Sequence, residues 1–490
     1  MTAGKGDDPE GGWQEALARV FRQAWPLSLV HVGYYLTGIV DVAMAGRVDE
    51  LAVAATGLGS TVFFAISVFG VGVGLAIDAL TAQALGAGAA GRARTLIWQG
   101  LHVVVLVSVP LTLLMVAVGG ALETFGVAGD LAHQTRAYLA GRVPALLPLL
   151  ASVTLRSYLQ AAHATRPVLV SSVVTNVINA ALNYVFLFGG AGLEELGLPG
   201  LGLPSFGVAG IGWSSTLAQL AQLSVLIAAV RGMRQSAPGG VRRRPDWALM
   251  RHIARLGVPL GLQITAEVGT FALVGMMMGV LGSRAMAAHQ VALAIASLSF
   301  SACLGIGAAT SVEVGWGVGA EDPRYVRRAG MGGIAIAAIF MGCFALLLWL
   351  VPAQLAGMMT TDQRVVAAAV PFIRVAGFFQ IVDGIQAVAA GALRGAGETM
   401  RPLFVNVIGH WCMGFPVGIV LAYACDWGGL GLWWGLTTGL ASVAVALTLS
   451  FYRRSAQVIV PAYTAEFEYV PEPESEPEPE SEPEPESAPG

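Results

Sequence analysis

The chain has 490 residues, of which 55% are hydrophobic and 12% charged, with 63 glycines and a formal net charge of −4. A soluble domain carries about 25% charged residues, so this composition excludes an ordinary water-soluble enzyme. The charge itself misleads, because ten of the 31 acidic residues fall in a Pro-Glu-Ser repeat over residues 466–490, and without them the body of the chain is basic.

A hydrocarbon core about 30 Å thick needs about 20 apolar residues per helix. In chain order, stretches of that length lie at about 23–46, 51–77, 95–122, 137–159, 167–193, 196–230, 252–283, 285–312, 329–361, 365–393, 402–425 and 427–452. Eight of the twelve contain no Asp, Glu, Lys or Arg, whereas spans 1, 4, 7 and 10 carry one or two charges each. The expected fold class is an all-α integral membrane protein with twelve transmembrane helices. The N-terminal residues have no apolar core before Arg22 and do not read as a cleavable signal peptide. With the N-terminus inside, 21 of the 27 basic residues fall on the inner side, as the positive-inside rule requires. The expectation is a multi-pass protein of the cell (inner) membrane with both termini cytoplasmic. Cys303, Cys343, Cys412 and Cys425 form no CxxC pair, so neither a disulfide nor a metal site is expected.

The sequence resembles itself when shifted by 233 positions. Pro26-Leu27 matches Pro259-Leu260, Gly46 matches Gly279, Gly72-Val-Gly74 matches Gly305-Ile-Gly307, and Gly86 matches Gly319. With small loop-length shifts, Arg156 aligns with Arg394 and Arg166-Pro167 with Arg401-Pro402. An even number of spans per half inserts both halves the same way up, giving a parallel repeat about an axis along the membrane normal. The domain reading is a cytoplasmic segment 1–22, an N-lobe 23–231, a basic linker 232–250, a C-lobe 251–455 and an acidic tail 456–490. The tail's composition cannot bury a core and is expected to stay disordered.

Asp41, Glu267 and Asp383 lie in spans 1, 7 and 10, with no basic residue at helical spacing in their own spans except Arg374, nine residues before Asp383. A carboxylate at mid-membrane costs about 2.5–3.5 kcal/mol on insertion scales, so it takes a proton or a cation, or it makes an interhelical hydrogen bond. The offset pairs Asp41 with Val274, Glu267 with Tyr34 and, by the span 4/10 alignment, Asp383 with Ala145. Each acid therefore occurs in one half only, which favours a site over packing. The charge-bearing helices are expected to line a wet cavity between the halves. Asp78 and Glu313, near the inner ends of spans 2 and 8, are expected to snorkel to water. Asn176, Asn179 and Asn183 form one polar stripe at i, i+3, i+7 on span 5, either as part of a site or as helix-to-helix glue. His31, His102, His289 and His410 lack metal spacing and are expected to be packed.

These residues sit in segments that resemble the multidrug and toxic compound extrusion (MATE) transporters, particularly the NorM-like branch. VDVAMAGRVDELAVAATGLG at 40–59, AEVGTFALVGMMMGVLGSRAMAAHQVAL at 266–293 and DGIQAVAAGALRGAG at 383–397 look like that branch's first-, seventh- and tenth-helix motifs. The resemblance covers about residues 15–455. It implies two six-helix lobes in a V, no catalytic residues, no organic cofactor, and antiport of small lipophilic cationic drugs against Na+ or H+. It further implies a cation site, sodium included, at Glu267 and Asp383. Asp41 with Asn179 and Asn183 would form a protonatable N-lobe network, and Gln290 and Asp362 would contact drug. Related sodium-coupled members carry a tyrosine one turn before the tenth-helix acid, where this chain has Phe379 in the cavity wall. That substitution removes one hard oxygen and leaves the coupling ion open. Membrane lipid is an expected partner, nucleic acid is not, and the pair of lobes is self-sufficient as a monomer. The alternative weighed is a lipid-linked oligosaccharide flippase of the same superfamily, whose cavities tend to be cationic. A membrane-embedded transferase would need a clustered acid–base motif, which the sequence lacks.

Overall fold

A computed structural model describes residues 9–195, 204–233, 241–457 and 459–462. The acidic repeat and the middle of the basic linker lie outside the described residues. Among the described residues, twelve helices are long and apolar enough to cross a membrane. They are α1 Gly12–Ala45, α2 Glu50–Gly86, α3 Ala90–Gly120, α4 Gly129–Ala161, α5 Thr165–Gly190, α6 Gly207–Gly232, α7 Trp247–Val280, α8 Ser283–Gly319, α9 Pro323–Leu350, α10 Gln363–Gly395, α11 Met400–Ala424 and α12 Gly429–Arg454. No strand occurs among the described residues. In hydrocarbon only internally satisfied backbones survive, so an apolar chain of this kind has helices as its outlet.

Local chemistry sets several helix ends. Asp49, Asp246 and Asp322 cap α2, α7 and α9 by accepting backbone N–H bonds from Ala52, Ala248 and Leu249, and Tyr325. A 3-10 turn at Val143–Ala145 interrupts α4, and two π-helical turns, Ile408–Gly414 and Val420–Ala424, widen α11. The α2–α3 turn uses Gly88 at φ +75° and the α8–α9 turn uses Glu321 at φ +56°. These two positions are 233 apart, so the repeat extends to turn conformation.

The first six spans pack as one lobe and the last six as another, and α1, α2, α7 and α8 join them. The junction is built from close backbone approaches at glycine. A methyl group placed on Gly72 would fall 2.5 Å from Gly261 Cα, and one on Gly305 would fall 2.5 Å from Ser28 Cα. The offset of 233 exchanges these two contacts. It likewise exchanges Gly86 against Trp316 with Gly319 against Gln83. Ala82 against Gly315 maps onto itself and so lies on the axis. These contacts all fall in the halves of the helices nearer the chain termini. The lobes are joined at the terminus-bearing end and diverge from it as a V.

Hydrogen bonds and ion pairs close the same end. Arg394 of α10 lies 4.0 Å from Asp78 of α2 across the junction. His163, in the α4–α5 turn, lies 2.9 Å from Glu313 of α8, which also accepts from the Tyr325 hydroxyl. Gln83 donates to the Gly395 carbonyl at 2.9 Å and accepts from the Ala462 amide at 2.8 Å. Asp78 and Glu313 are 0% and 1% exposed. The expectation that they snorkel to water is therefore corrected: each faces the other lobe or its neighbours, where partners replace water.

Candidate functional site

The three intramembrane acids each find their partners within their own lobe. Asp41 on α1 is buried and points into its own lobe. Asn183 on α5 donates to Asp41 Oδ1 at 2.7 Å, and Ser215 on α6 donates to Oδ2 at 3.1 Å. Asn179 closes the ring, donating to Ser215 Oγ at 3.2 Å and accepting from Asn183 at 3.2 Å. Asn179 and Asn183 lie one helical turn apart and so share the face turned to α1 and α6. The charged group acting on Asp41 is Arg142 of α4, whose guanidinium stacks 4.7 Å over the Phe63 ring. Asn176, one turn nearer the terminus-bearing end, is bonded to Thr37 of α1 at 2.9 Å and to the Ser172 carbonyl. The stripe thus divides, with two amides in the carboxylate ring and one tying α5 to α1.

The C-lobe site has different chemistry. Glu267 on α7 accepts from Asn406 of α11 at 3.1 Å and, weakly, from Gln386 of α10 at 3.5 Å. Asp383, also on α10, is near enough to feel the charge of Glu267. Among the described residues no Arg, Lys or His acts on either carboxylate. Asp383 Oδ1, Gln386 Oε1 and Asn406 Oδ1 are buried without a hydrogen-bond partner. Buried polar atoms are ordinarily satisfied, and here one oxygen of Asp383 and two amide oxygens cluster unpaired beside Glu267. The thiol of Cys303, on α8, lies 3.8 Å from the Gly384 carbonyl at the edge of this shell.

Phe379, one turn from Asp383, is 3% exposed and packs edge-on to Phe271 at 5.9 Å and against Trp433 at 5.5 Å. Trp433 in turn donates to His289 Nδ1 at 3.1 Å. Gln290, next to that histidine on α8, is exposed. Asp362 is exposed at the start of α10, where its side chain caps the helix by accepting from the Arg364 amide at 2.8 Å. Neither residue is brought to the carboxylates. The four cysteines are free, and no group of three or more His, Cys, Asp or Glu with metal-holding geometry occurs among the described residues.

Reading the sequence alone missed Gln386, Asn406, Ser215 and the Asp78–Arg394 pair. Gln386 lies three residues after Asp383 and therefore shares its face, a usable signal. Asn406 stands among apolar residues in span 11. The partnership of Asp78 with Arg394 crosses 316 positions and both lobes, and no local spacing encodes it.

Comparison with known proteins gives one consistent picture. The profile of the family described as MatE matches residues 26–185 and 259–423, one match in each lobe. A probable multidrug resistance protein NorM of Mesorhizobium japonicum is 33% identical over 456 residues, covering 91% of this chain and 96% of that protein. The protein of the same description from Pseudomonas aeruginosa is 33% identical over 462 residues, covering 92% of each. Among solved structures, the eukaryotic MATE transporter AtDTX14 superposes with a TM-score of 0.80 at 22% identity, covering 92% of this chain and 100% of that one.

Proposed function

Because the chain belongs to the MatE family, whose members are transporters and not enzymes, we propose that it is a multidrug efflux antiporter. It exports small lipophilic cationic compounds across the inner membrane in exchange for sodium ions or protons. The observation that carries this reading is the C-lobe pair. Glu267 and Asp383 are two interacting carboxylates in a shell of neutral amides, with three unpartnered oxygens and no basic counter-charge. Two like charges held together, one of them buried, need a compensating cation. An organic drug cation and a coupling ion can both supply that charge, and occupancy by one weakens binding of the other.

Asp41 with Asn179, Asn183 and Ser215 forms the second, N-lobe station, with Gln290 in the wall that drug passes and Asp362 at the outer rim, whereas Phe379, buried against Phe271 and Trp433, supports that wall from behind. The lobes, taken as helices 1–6 and 7–12, rock about the glycine junction as a monomer surrounded by lipid. With both termini cytoplasmic, as the distribution of arginines supports, the state described is closed to the cytoplasm and open outward. Return to the inward state requires the Asp78–Arg394 and Glu313–His163 contacts to separate. One cationic charge moving across 100 mV is worth about 2.3 kcal/mol, close to a 50-fold accumulation ratio.

The test is ethidium efflux from proteoliposomes driven separately by a sodium gradient and a proton gradient. Efflux under one gradient, abolished by Glu267→Gln and by Asp383→Asn, is the expected result and names the ion. Absence of efflux under both gradients, with the protein confirmed in the bilayer, would refute the antiport reading.

A further inference from the structure

On the terminus-bearing face, the ends of α11 and α12 border an open cavity of about 580 Å³. Arg401, Arg453 and Arg454 line it, together with Ser450, Gln457 and a single carboxylate, Glu398. Its origin lies in how the two helices cross. In their middles they touch at glycine, with Gly414 against Gly435 and Gly439, and Gly409 against Val443 and Ser442. From there the helices splay, and long side chains occupy the gap they leave. Three guanidinium groups against one carboxylate leave the cavity with a formal charge of +2. Hydroxyl and amide donors from Ser450 and Gln457 stand beside them.

The surface next to the cavity, on the side facing the bilayer core, is apolar. Phe404 and Ile408 of α11 and Val445 and Leu449 of α12 are each 50% or more exposed. An arginine-lined pocket at the membrane interface with an apolar strip directly beside it matches two parts of one molecule, an anionic headgroup and its acyl chains. Basic pockets between membrane helices on the anionic leaflet are suited to that chemistry, and planar guanidinium groups pair bidentately with phosphate oxygens. The chain's own glutamate-rich tail is the competing anion, because Gln457 lines the pocket and Ala462 lies beside Gly397, next to Glu398; the apolar strip beside the arginines favours a lipid over a purely anionic peptide.

We propose that this cavity is a binding site for an anionic phospholipid, with Arg401, Arg453 and Arg454 holding the phosphodiester and the α11–α12 strip holding the acyl chains. The site is separate from both carboxylate stations. Bound lipid would brace α11 and α12, two helices of the C-lobe that lie outside the lobe junction.

The experiment uses purified, delipidated full-length protein, with phosphatidylglycerol, phosphatidylcholine and glycerol phosphate as separate probes followed by native mass spectrometry. Phosphatidylglycerol is expected to bind at least ten-fold more tightly than phosphatidylcholine. Arg401→Gln is expected to weaken phosphatidylglycerol binding about five-fold, and Arg453→Gln with Arg454→Gln together by about 25-fold, because each arginine near an anionic surface contributes about 1 kcal/mol. The wild-type selectivity stands as a test even where the double variant inserts poorly. Equal binding of the two lipids, or equal binding by the variants, would overturn the proposal. So would glycerol phosphate binding as tightly as the lipid, which would assign the pocket to a soluble phosphate. A large gain in lipid affinity on truncation after Ala462 would assign it to the acidic tail. None of these outcomes bears on ion-driven efflux, which is read independently.

Discussion

Asp78→Asn is expected to shift the transporter out of the conformation described here. Asp78 is fully buried, both its oxygens lack hydrogen bonds, and its cross-lobe partner Arg394 is 13% exposed at 4.0 Å. Two unit charges at about 4 Å attract by about 4 kcal/mol at an effective dielectric of 20, and removing one member of a buried pair costs about 3–5 kcal/mol because the other is stranded. Arg394 keeps a hydrogen bond to Ser311 at 3.2 Å and some water, so the lower end, about 3 kcal/mol, is the better figure. When the terminus-bearing end opens, Arg394 reaches water and the penalty vanishes. The substitution therefore favours the opposite state by about 100-fold, at about 1.4 kcal/mol per factor of ten. Spin labels at Ala87→Cys and Glu321→Cys, in equivalent exposed turns of the two lobes, report this as a distance distribution. A long-distance population should grow in Asp78→Asn and recede when Arg394→Gln is added, because the double variant strands no charge. An unchanged distribution, or a double variant whose effect equals the sum of the singles, would refute the gate.

Further outcomes follow from the two carboxylate sites and the junction. Asn183→Ala removes the donor 2.7 Å from Asp41 Oδ1, a loss of about 1–3 kcal/mol for a buried acceptor, and should cut efflux ten-fold or more. Asn176→Ala, which loses the Thr37 tie and a bond to the Ser172 carbonyl but nothing at Asp41, should leave most efflux intact, and equal losses in both would dissolve the distinction between ring and tie. Phe379→Tyr places a hydroxyl one turn from Asp383 and should raise the thermal midpoint in sodium chloride relative to choline chloride; no sodium-specific change would remove that position from the ion site. Gly315→Leu places side-chain atoms where Ala82 Cβ already lies 2.7 Å from the first added carbon. It should lengthen the same spin-label distance, and a distribution identical to wild type would contradict the axial contact.

Periodicity and composition made the scaffold legible. Twelve spans, the repeat of 233 and the parallel orientation of its halves all follow from apolar length and matching glycines, and the fold contains each of them. Helix starts were less legible. The first helix already runs from Gly12 instead of from about residue 23, because a polar segment carrying Arg19 and Arg22 continues the helix. The acids themselves stood out as charges in apolar stretches, but their partners did not. Ser215, Asn406 and Gln386 are uncharged residues of kinds that also serve as packing glue, and which helix faces which is decided by tertiary packing. Asp78 and Glu313 misled for the same reason: proximity to a helix end in sequence says nothing about whether the other lobe covers it.

Duplication makes a symmetric frame, and the charged chemistry departs from that symmetry at each site. At the junction the two repeats supply Arg156 and Arg394 as equivalents, but Asp78 in one half stands opposite Ser311 in the other. Arg394 accordingly lies between Ser311 in its own lobe and Asp78 in the other. Arg156 lies 5.4 Å over the ring of Tyr34, and Tyr34 is the repeat equivalent of Glu267. Its hydroxyl accepts from Gln222 at 2.6 Å, so the N-lobe position that corresponds to the C-lobe carboxylate holds a neutral group beside a cation. Under antiport as proposed, a symmetric pair of carboxylate sites would bind the coupling ion alike in both lobes and would give the cycle no order. With a ring of donors around Asp41 and a donor-poor pair at Glu267 and Asp383, the lobes have unequal demands for positive charge, which is the condition for one station to load while the other releases.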